Sequence, residues 1–360
     1  MTPTWLHAFR ELQRFIDDHP SVEITDNLVS LDESVRPQFF ELFDQVRHAF
    51  LFEHLPAFME EAEALGPAYR KAERELVQRL GITDVLMPAE VRRFLEDPTD
   101  QLSRELFDLV FELLRENIEP EEFEEHGLAL TQYAVERLYG HAYNKWATLE
   151  LALAFEPEKI FEVPLPEPTS KQIVKHRPGQ RLAVPVPSLA TQLAFEVKRA
   201  SVLLAPDFIL RSALLDAYVA FRTALGRARW AAAGYPAGRE WLNLEDMMET
   251  YGTLDLDPGL LLYVDDNLQD IALVADAEMF CRPDLCVYFP EKIGPASKSY
   301  FDEAREINLC HIVLKPVRAS VVLAKDSVLD AMAENLVESV ERFTFGPQHT
   351  QLEPVLDLIE

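Results

Sequence analysis

The residue types most able to do chemistry in this chain are acids set directly before apolar runs, with a lysine close by. Pro206-Asp207-Phe-Ile-Leu210 and Pro283-Asp284-Leu-Cys-Val287 repeat one pattern, an acid after proline and before a strand-like run. Phe195-Glu196-Val-Lys198 puts a carboxylate and an ammonium at a strand end. Two carboxylates and a phosphate oxygen can share a hard cation, so this set would suit Mg²⁺-assisted phosphodiester chemistry. A second acidic group comprises Asp265, Asp266, Asp270 and Asp276. Its Asp265-Asp266-Asn267 start reads more simply as a turn and helix cap. Cys281, Cys286, Cys310 and His311 have zinc-ligand chemistry. Their spacing lacks a knuckle, and neighbours on a strand point to opposite faces, so they read as buried thiols.

Taken together, Glu196, Lys198, Asp207 and Asp284 resemble fragments of the PD-(D/E)xK nuclease family, over residues 190–315. The resemblance implies an α/β sheet whose strand carboxylates bind Mg²⁺ while the lysine activates or positions the attacking water. The order departs from that pattern, because Glu196 and Lys198 precede Asp207 instead of following it. Ala220-Phe221-Arg222 downstream of Asp207 lacks the carboxylate, and Glu291-Lys292 has no intervening residue. The competing reading is structural: acids in strand-edge turns, with Glu196 and Lys198 paired on a solvated face.

Arg137-Leu-Tyr-Gly-His141 invites comparison with the Arg…His ribonuclease motif of HEPN helical domains, though its gap of three residues is shorter. One turn apart and beside Tyr139, Tyr143 and Trp146, the two read as packing and surface groups. A four-helix di-iron site needs Glu-x-x-His twice. Phe123 occupies the glutamate position ahead of His126, so that pattern is absent. Glycine-rich phosphate loops, nucleophile elbows and kinase signatures are absent as well.

The elements that must position these groups divide at a seam. Seven prolines lie between Glu156 and Pro187, a density that no helix can run through. Residues 1–155 show apolar residues at three- and four-residue intervals, predicting helices near 4–19, 35–50, 55–79, 88–96, 102–117 and 123–155. Val22–Ile24 and Val29–Leu31 are extended, and Asp32-Glu33-Ser34 reads as the cap of the second helix. The run Glu116, Glu119, Glu121, Glu122, Glu124 and Glu125 sits where carboxylates suit a helix N-terminus.

Beyond the seam, β-branched runs alternate with helical ones. Strands are expected at 182–186, 193–198, 208–210, 217–222, 260–264, 285–289, 309–314 and 319–324, with a final helix at 327–343. The segment 283–314 reads as one βαβ crossover. The fold class is thus α+β or α/β: an all-helical domain at 1–155, a Pro-rich connector at 156–187, a mixed or partly parallel sheet domain at 188–345, and a tail at 346–360.

Charge bounds the partners. With 34 basic and 62 acidic residues the net charge is −28, about −17 of it within residues 1–155. Such a field repels phosphate backbones and anionic lipid, disfavouring nucleic acid and membrane surfaces as partners. The seam holds the most basic stretch, Lys171, Lys175, His176, Arg177 and Arg181, which suits an acidic surface such as the N-terminal half itself. Three cysteines make no disulfide framework, and no apolar run is long enough to span a membrane. The expectation is a cytoplasmic interaction or regulatory protein whose acidic helical half docks a basic protein partner. The alternative is the Mg²⁺-dependent phosphodiesterase.

Overall fold

A computed structural model of the chain describes residues 4–25, 28–162, 186–195, 207–222, 258–268, 271, 285–288, 319–324, 341–345, 347 and 351–358. The chain divides into two compact units, residues 1–68 with 89–143, and residues 69–88 with 144–360.

The first unit is mainly helical. Helix α1 (Trp5–Asp18) starts at Thr4, whose side chain accepts from the His7 N–H. A hairpin follows, β1 (Val22–Thr25) antiparallel to β2 (Leu28–Leu31), in the register Val22 to Leu31. Helix α2 (Arg36–His54) packs along α1. Its start differs from the cap expected at Asp32–Ser34. Val35 is the N-cap and no side chain caps it; instead the Asp32 carbonyl accepts from the Val35 and Arg36 N–H groups. Helix α3 (Pro56–Leu80) begins here.

Helix α4 (Ala89–Glu96) forms where a helix is expected at 88–96, but where one helix is expected at 102–117 the chain makes α5 (Pro98–Ser103), a 3-10 turn (Arg104–Leu106) and α6 (Phe107–Leu114). Asp97 caps α5 by accepting from the Asp100 N–H, with Pro98 at the first helical position. Ser103 turns its hydroxyl back onto the Asp100 carbonyl, 2.9 Å away, where the chain tightens into the 3-10 turn. The core is aromatic: Phe43 meets Phe111 at 4.7 Å and Phe107 at 5.2 Å. The buried rings Phe43 and Phe111 are each worth about 1.5–3 kcal/mol of transfer from water, while Phe107 is partly exposed at the edge. Arg47 is buried among them, its guanidinium over Phe43 and Phe107, donating to the Ser103 carbonyl and paired with Asp44. Helix α7 (Pro120–Ala154) begins in this unit.

The second unit is built on a sheet of eight strands. Helix α7 ends here at Ala154, and Glu156 takes the left-handed conformation at φ 49°. The next residues form β4 (Pro157–Glu162), although sequence reading starts the connector there. Pro157 is the first residue of that strand, a position where a missing N–H is tolerated. Strands β5 (Ser188–Leu189), β7 (Phe208–Ser212), β8 (Ala217–Arg222), β9 (Pro258–Asp265), β10 (Leu285–Tyr288), β11 (Ala319–Ala324) and β12 (Glu341–Thr344) complete the sheet. Its order is β12-β11-β10-β9-β8-β7-β4-β5. Pairing is antiparallel from β5 to β10 and parallel across β10, β11 and β12, so the sheet is mixed.

The final helix expected to reach Phe343 gives way to β12 at Glu341, because Arg342 and Phe343 pair with Val322 and Leu323 in the sheet. The strand expected at 309–314 lies outside the described residues; the parallel neighbour of β10 is β11. Two short strands, β3 (Asp84–Leu86) and β6 (Gln192–Ala194), form a separate parallel pair. Strands β1 and β2 thus form where extended stretches are expected, and β3 is a further strand within the residues 1–155 read as a helical domain.

Phe208 stacks on Phe221 at 4.8 Å, and Phe155 meets Phe221 edge-on. Trp146 stacks on Phe345 at 4.8 Å and donates its indole N–H to Glu150. The chain ends in a single turn, α8 (Glu353–Leu356). No helix among the described residues is long and apolar enough to cross a membrane.

Candidate functional site

The acidic run predicted to sit at a helix start does so, and its geometry follows from the turn between α6 and α7. Glu116 ends α6 in the left-handed conformation, at φ 56°. The Asn117 N–H returns to the Glu112 carbonyl and the Glu116 N–H to the Leu113 carbonyl, satisfying the last carbonyls of α6. Pro120 then opens α7, where its missing N–H costs nothing. Glu122 reaches back to accept from the Glu119 N–H at 3.1 Å, which is half of a capping box. Arg115 anchors the turn, donating to the Thr25 carbonyl at 3.0 Å and to Glu112 at 2.9 Å. Asn117 and Arg115 together hold the Glu112 carboxyl below the usual carboxylate range.

Between Glu112 and Glu125 the chain carries seven glutamates and one basic residue, Arg115. Glu112 is paired, Glu122 closes the helix start, and Glu124 lies 3.9 Å from His54. Glu116, Glu119, Glu121 and Glu125 are exposed, and none has an ion pair among the described residues. Four carboxylates without an ion pair around one helix entry make a concentrated negative field.

Helix α7 is held against the first unit by one face. Phe123 packs on Trp5 at 4.8 Å and on Phe50 at 5.4 Å. Gly127 lets the helix come close: a Cβ there would lie 2.8 Å from Phe50 Cζ and 3.2 Å from Leu106 Cδ2. Thr131, Ala134, Val135 and Leu138 continue that buried face. Along one flank of that face Glu122, His126, Ala129, Leu130 and Tyr133 are exposed, and Glu125 and Gln132 are exposed on the far side. Leu130 is 42% exposed and Tyr133 68%.

One turn beyond Tyr133, Arg137 closes this surface. Its two terminal nitrogens fork onto the Glu90 carboxylate at 2.8 and 2.7 Å, and Glu105 stands 3.7 Å away. The bidentate contact holds Glu90 below the usual carboxylate range and pushes Arg137 further up. The guanidinium that would bind phosphate in an Arg…His ribonuclease is committed here to a carboxylate.

The residues singled out for phosphodiester chemistry are distributed differently. Asp207 immediately precedes β7, half-buried, with its N–H donating to the Phe221 carbonyl at 2.7 Å. Glu196, Lys198 and Asp284 lie outside the described residues, as do Asp270, Asp276, Cys281, Cys310, His311 and the basic stretch 171–181. Asp265 Oδ1 accepts from the Asn267 N–H at 2.8 Å, and the Asn267 carbonyl accepts from Ile271; this is the turn-and-helix-start arrangement expected of Asp-Asp-Asn. Cys286 stands on β10 opposite Leu261. Among the described residues no three His, Cys, Asp or Glu side chains converge as a cation would require.

No protein-family model, no curated protein and no solved structure matches the chain. Sequence reading missed Leu130 and Tyr133. Leu130 is seven residues from Phe123 and so carries the spacing of the buried face itself, which hides its exposure from a helical projection.

Proposed function

We propose that this chain is a protein-interaction module that works by binding, and that its acidic helical unit docks a partner with a basic surface. The observation that carries this reading is the set Glu116, Glu119, Glu121 and Glu125, exposed at the α6–α7 turn with no ion pair of their own among the described residues. Self-repulsion among them opposes folding, so a cationic partner is the complement that relieves it. The same field disfavours phosphate backbones. Charge of this kind speeds encounter and selects partners more than it supplies affinity.

The experiment is affinity capture with the full chain, compared with a variant carrying Gln at 116, 119, 121 and 125. The native chain is expected to retain basic proteins that elute as salt rises from 0.1 to about 0.5 M, where screening lengths shrink well below 10 Å. Capture of the same proteins, with the same salt dependence, by the four-glutamine variant would overturn the reading.

A further inference from the structure

One exposed flank of α7 is built differently from an ordinary solvated helix face. A surface helix normally turns charged and polar residues outward. Here the middle of the flank is Ala129, Leu130 and Tyr133, and Tyr133 is the most exposed of the large aromatic side chains among the described residues. Acidic side chains stand at both ends of this apolar centre. Glu122 and Glu125 lie toward the helix start. At the other end Glu90 and Glu105 stand against Arg137, with Arg93 also acting on Glu90. The stripe spans sixteen residues from Glu122 to Arg137, about 22 Å at the helical rise.

Resting on the docking function proposed above, we infer that this stripe is the contact surface, and that its occupant is an amphipathic helical segment of a partner protein. The segment has two or three apolar residues at i and i+3 or i+4 spacing in its centre and Lys or Arg at both ends. The argument is charge and shape complementarity. A helix of about four turns matches the length, its apolar centre covers Leu130 and Tyr133, and its cationic ends meet the two acidic borders. Helix-in-groove recognition reads such anchors at helical spacing. A tyrosine with two rotatable bonds supplies contact area at small entropic cost, and such side chains are enriched among residues that dominate binding energy. The borders act mainly on encounter and salt dependence, the centre on residence time.

The test is selection of peptides of about fifteen residues, displayed from a random library, on the immobilised full chain. The affinity of the selected peptides is then measured against native and variant chains. Enriched peptides are expected to carry Lys or Arg at both ends and spaced apolar residues between. Tyr133→Ala is expected to weaken them about thirtyfold. Leu130→Glu with Tyr133→Glu is expected to abolish binding while the helical circular dichroism stays unchanged, since both positions are exposed. Cationic peptides that bind native and Tyr133→Ala chains equally, yet lose affinity with Gln at 116, 119, 121 and 125, would overturn this surface and leave the acidic docking function standing. Enrichment of peptides without cationic residues, or of none, would overturn both.

Discussion

Gly127 is where the presentation of the α7 surface can be tested by a single methyl group. A Cβ at this position would sit 2.8 Å from Phe50 Cζ, 3.3 Å from Phe50 Cε2 and 3.2 Å from Leu106 Cδ2. Carbon pairs are at rest near 3.5–4.0 Å, so the nearest contact falls short by about 0.7 Å or more. Phe50 has little room to yield, because it is fully buried with Trp5, Phe123 and His54 against its ring. Overpacking of this kind costs about 1–3 kcal/mol, while alanine in place of glycine within a helix returns about 1 kcal/mol.

Gly140, on the same helix, separates the two effects: a Cβ there meets nothing within 4 Å. Gly140→Ala should therefore stabilise by about 0.5–1 kcal/mol, and Gly127→Ala should be neutral or destabilise by up to about 2 kcal/mol. Their difference cancels helix propensity and isolates the steric cost. Urea unfolding followed by far-ultraviolet circular dichroism reads it. With a denaturant dependence of about 2 kcal/mol per molar, the midpoints should differ by about 0.5–1.5 M. A Gly127→Ala chain as stable as Gly140→Ala would show that α7 does not seat on Phe50 and Leu106, and the outward placement of Leu130 and Tyr133 would fall with it.

Three further outcomes follow from the electrostatics and backbone. Replacing Arg137 with Gln leaves Glu90 and Glu105 facing each other; the pair is over a third exposed in part, so the loss should stay near or below about 1 kcal/mol. Because Glu90 is depressed from 4.5 in the folded state, that contribution is present above pH 4.5 and is lost as the pH falls through the folded value, which stability measured down to pH 3 will reveal. Glu150 behaves in the opposite sense: burial raises its carboxyl, so the folded state favours the protonated form. Its contribution is complete below pH 4.5 and lost as pH rises through the raised value; Glu150→Gln, still able to accept from Trp146, should be more stable than the native chain at pH 7 and the gap should close in acid. Glu156→Gly should stabilise by about 1 kcal/mol in thermal unfolding, because φ 49° strains a residue with a side chain.

How much of this could be read in the sequence depended on where local rules decide the outcome. The helices α1, α2, α3, α4 and α7 were legible because their apolar spacing is unbroken, and the acidic run announced the start of α7. The break of the 98–114 region into three pieces was not, since it turns on one serine hydroxyl and the Asp97-Pro98 start. Strand β4 was hidden by the prolines around it, because a strand can begin at Pro157 while the seam as a whole looks like a linker. Strand β12 was hidden for another reason: residues 341–344 continue a helical pattern, and only pairing with β11 makes them extended. For the site, the charge was visible from composition alone. The stripe of Leu130 and Tyr133 was not, since its meaning depends on which face of α7 the core takes. That choice is made by Gly127 and Phe123 against Phe50.

The most direct measurement is photo-crosslinking in cells from p-benzoylphenylalanine installed in place of Tyr133, with the same probe in place of exposed Gln78 as the comparison. The account predicts a discrete covalent adduct from position 133, with a protein carrying a basic amphipathic segment, absent from position 78. That adduct should be lost when 116, 119, 121 and 125 are Gln. A position-133 probe that yields no adduct beyond the position-78 pattern, or the same adduct from the four-glutamine variant, would contradict it.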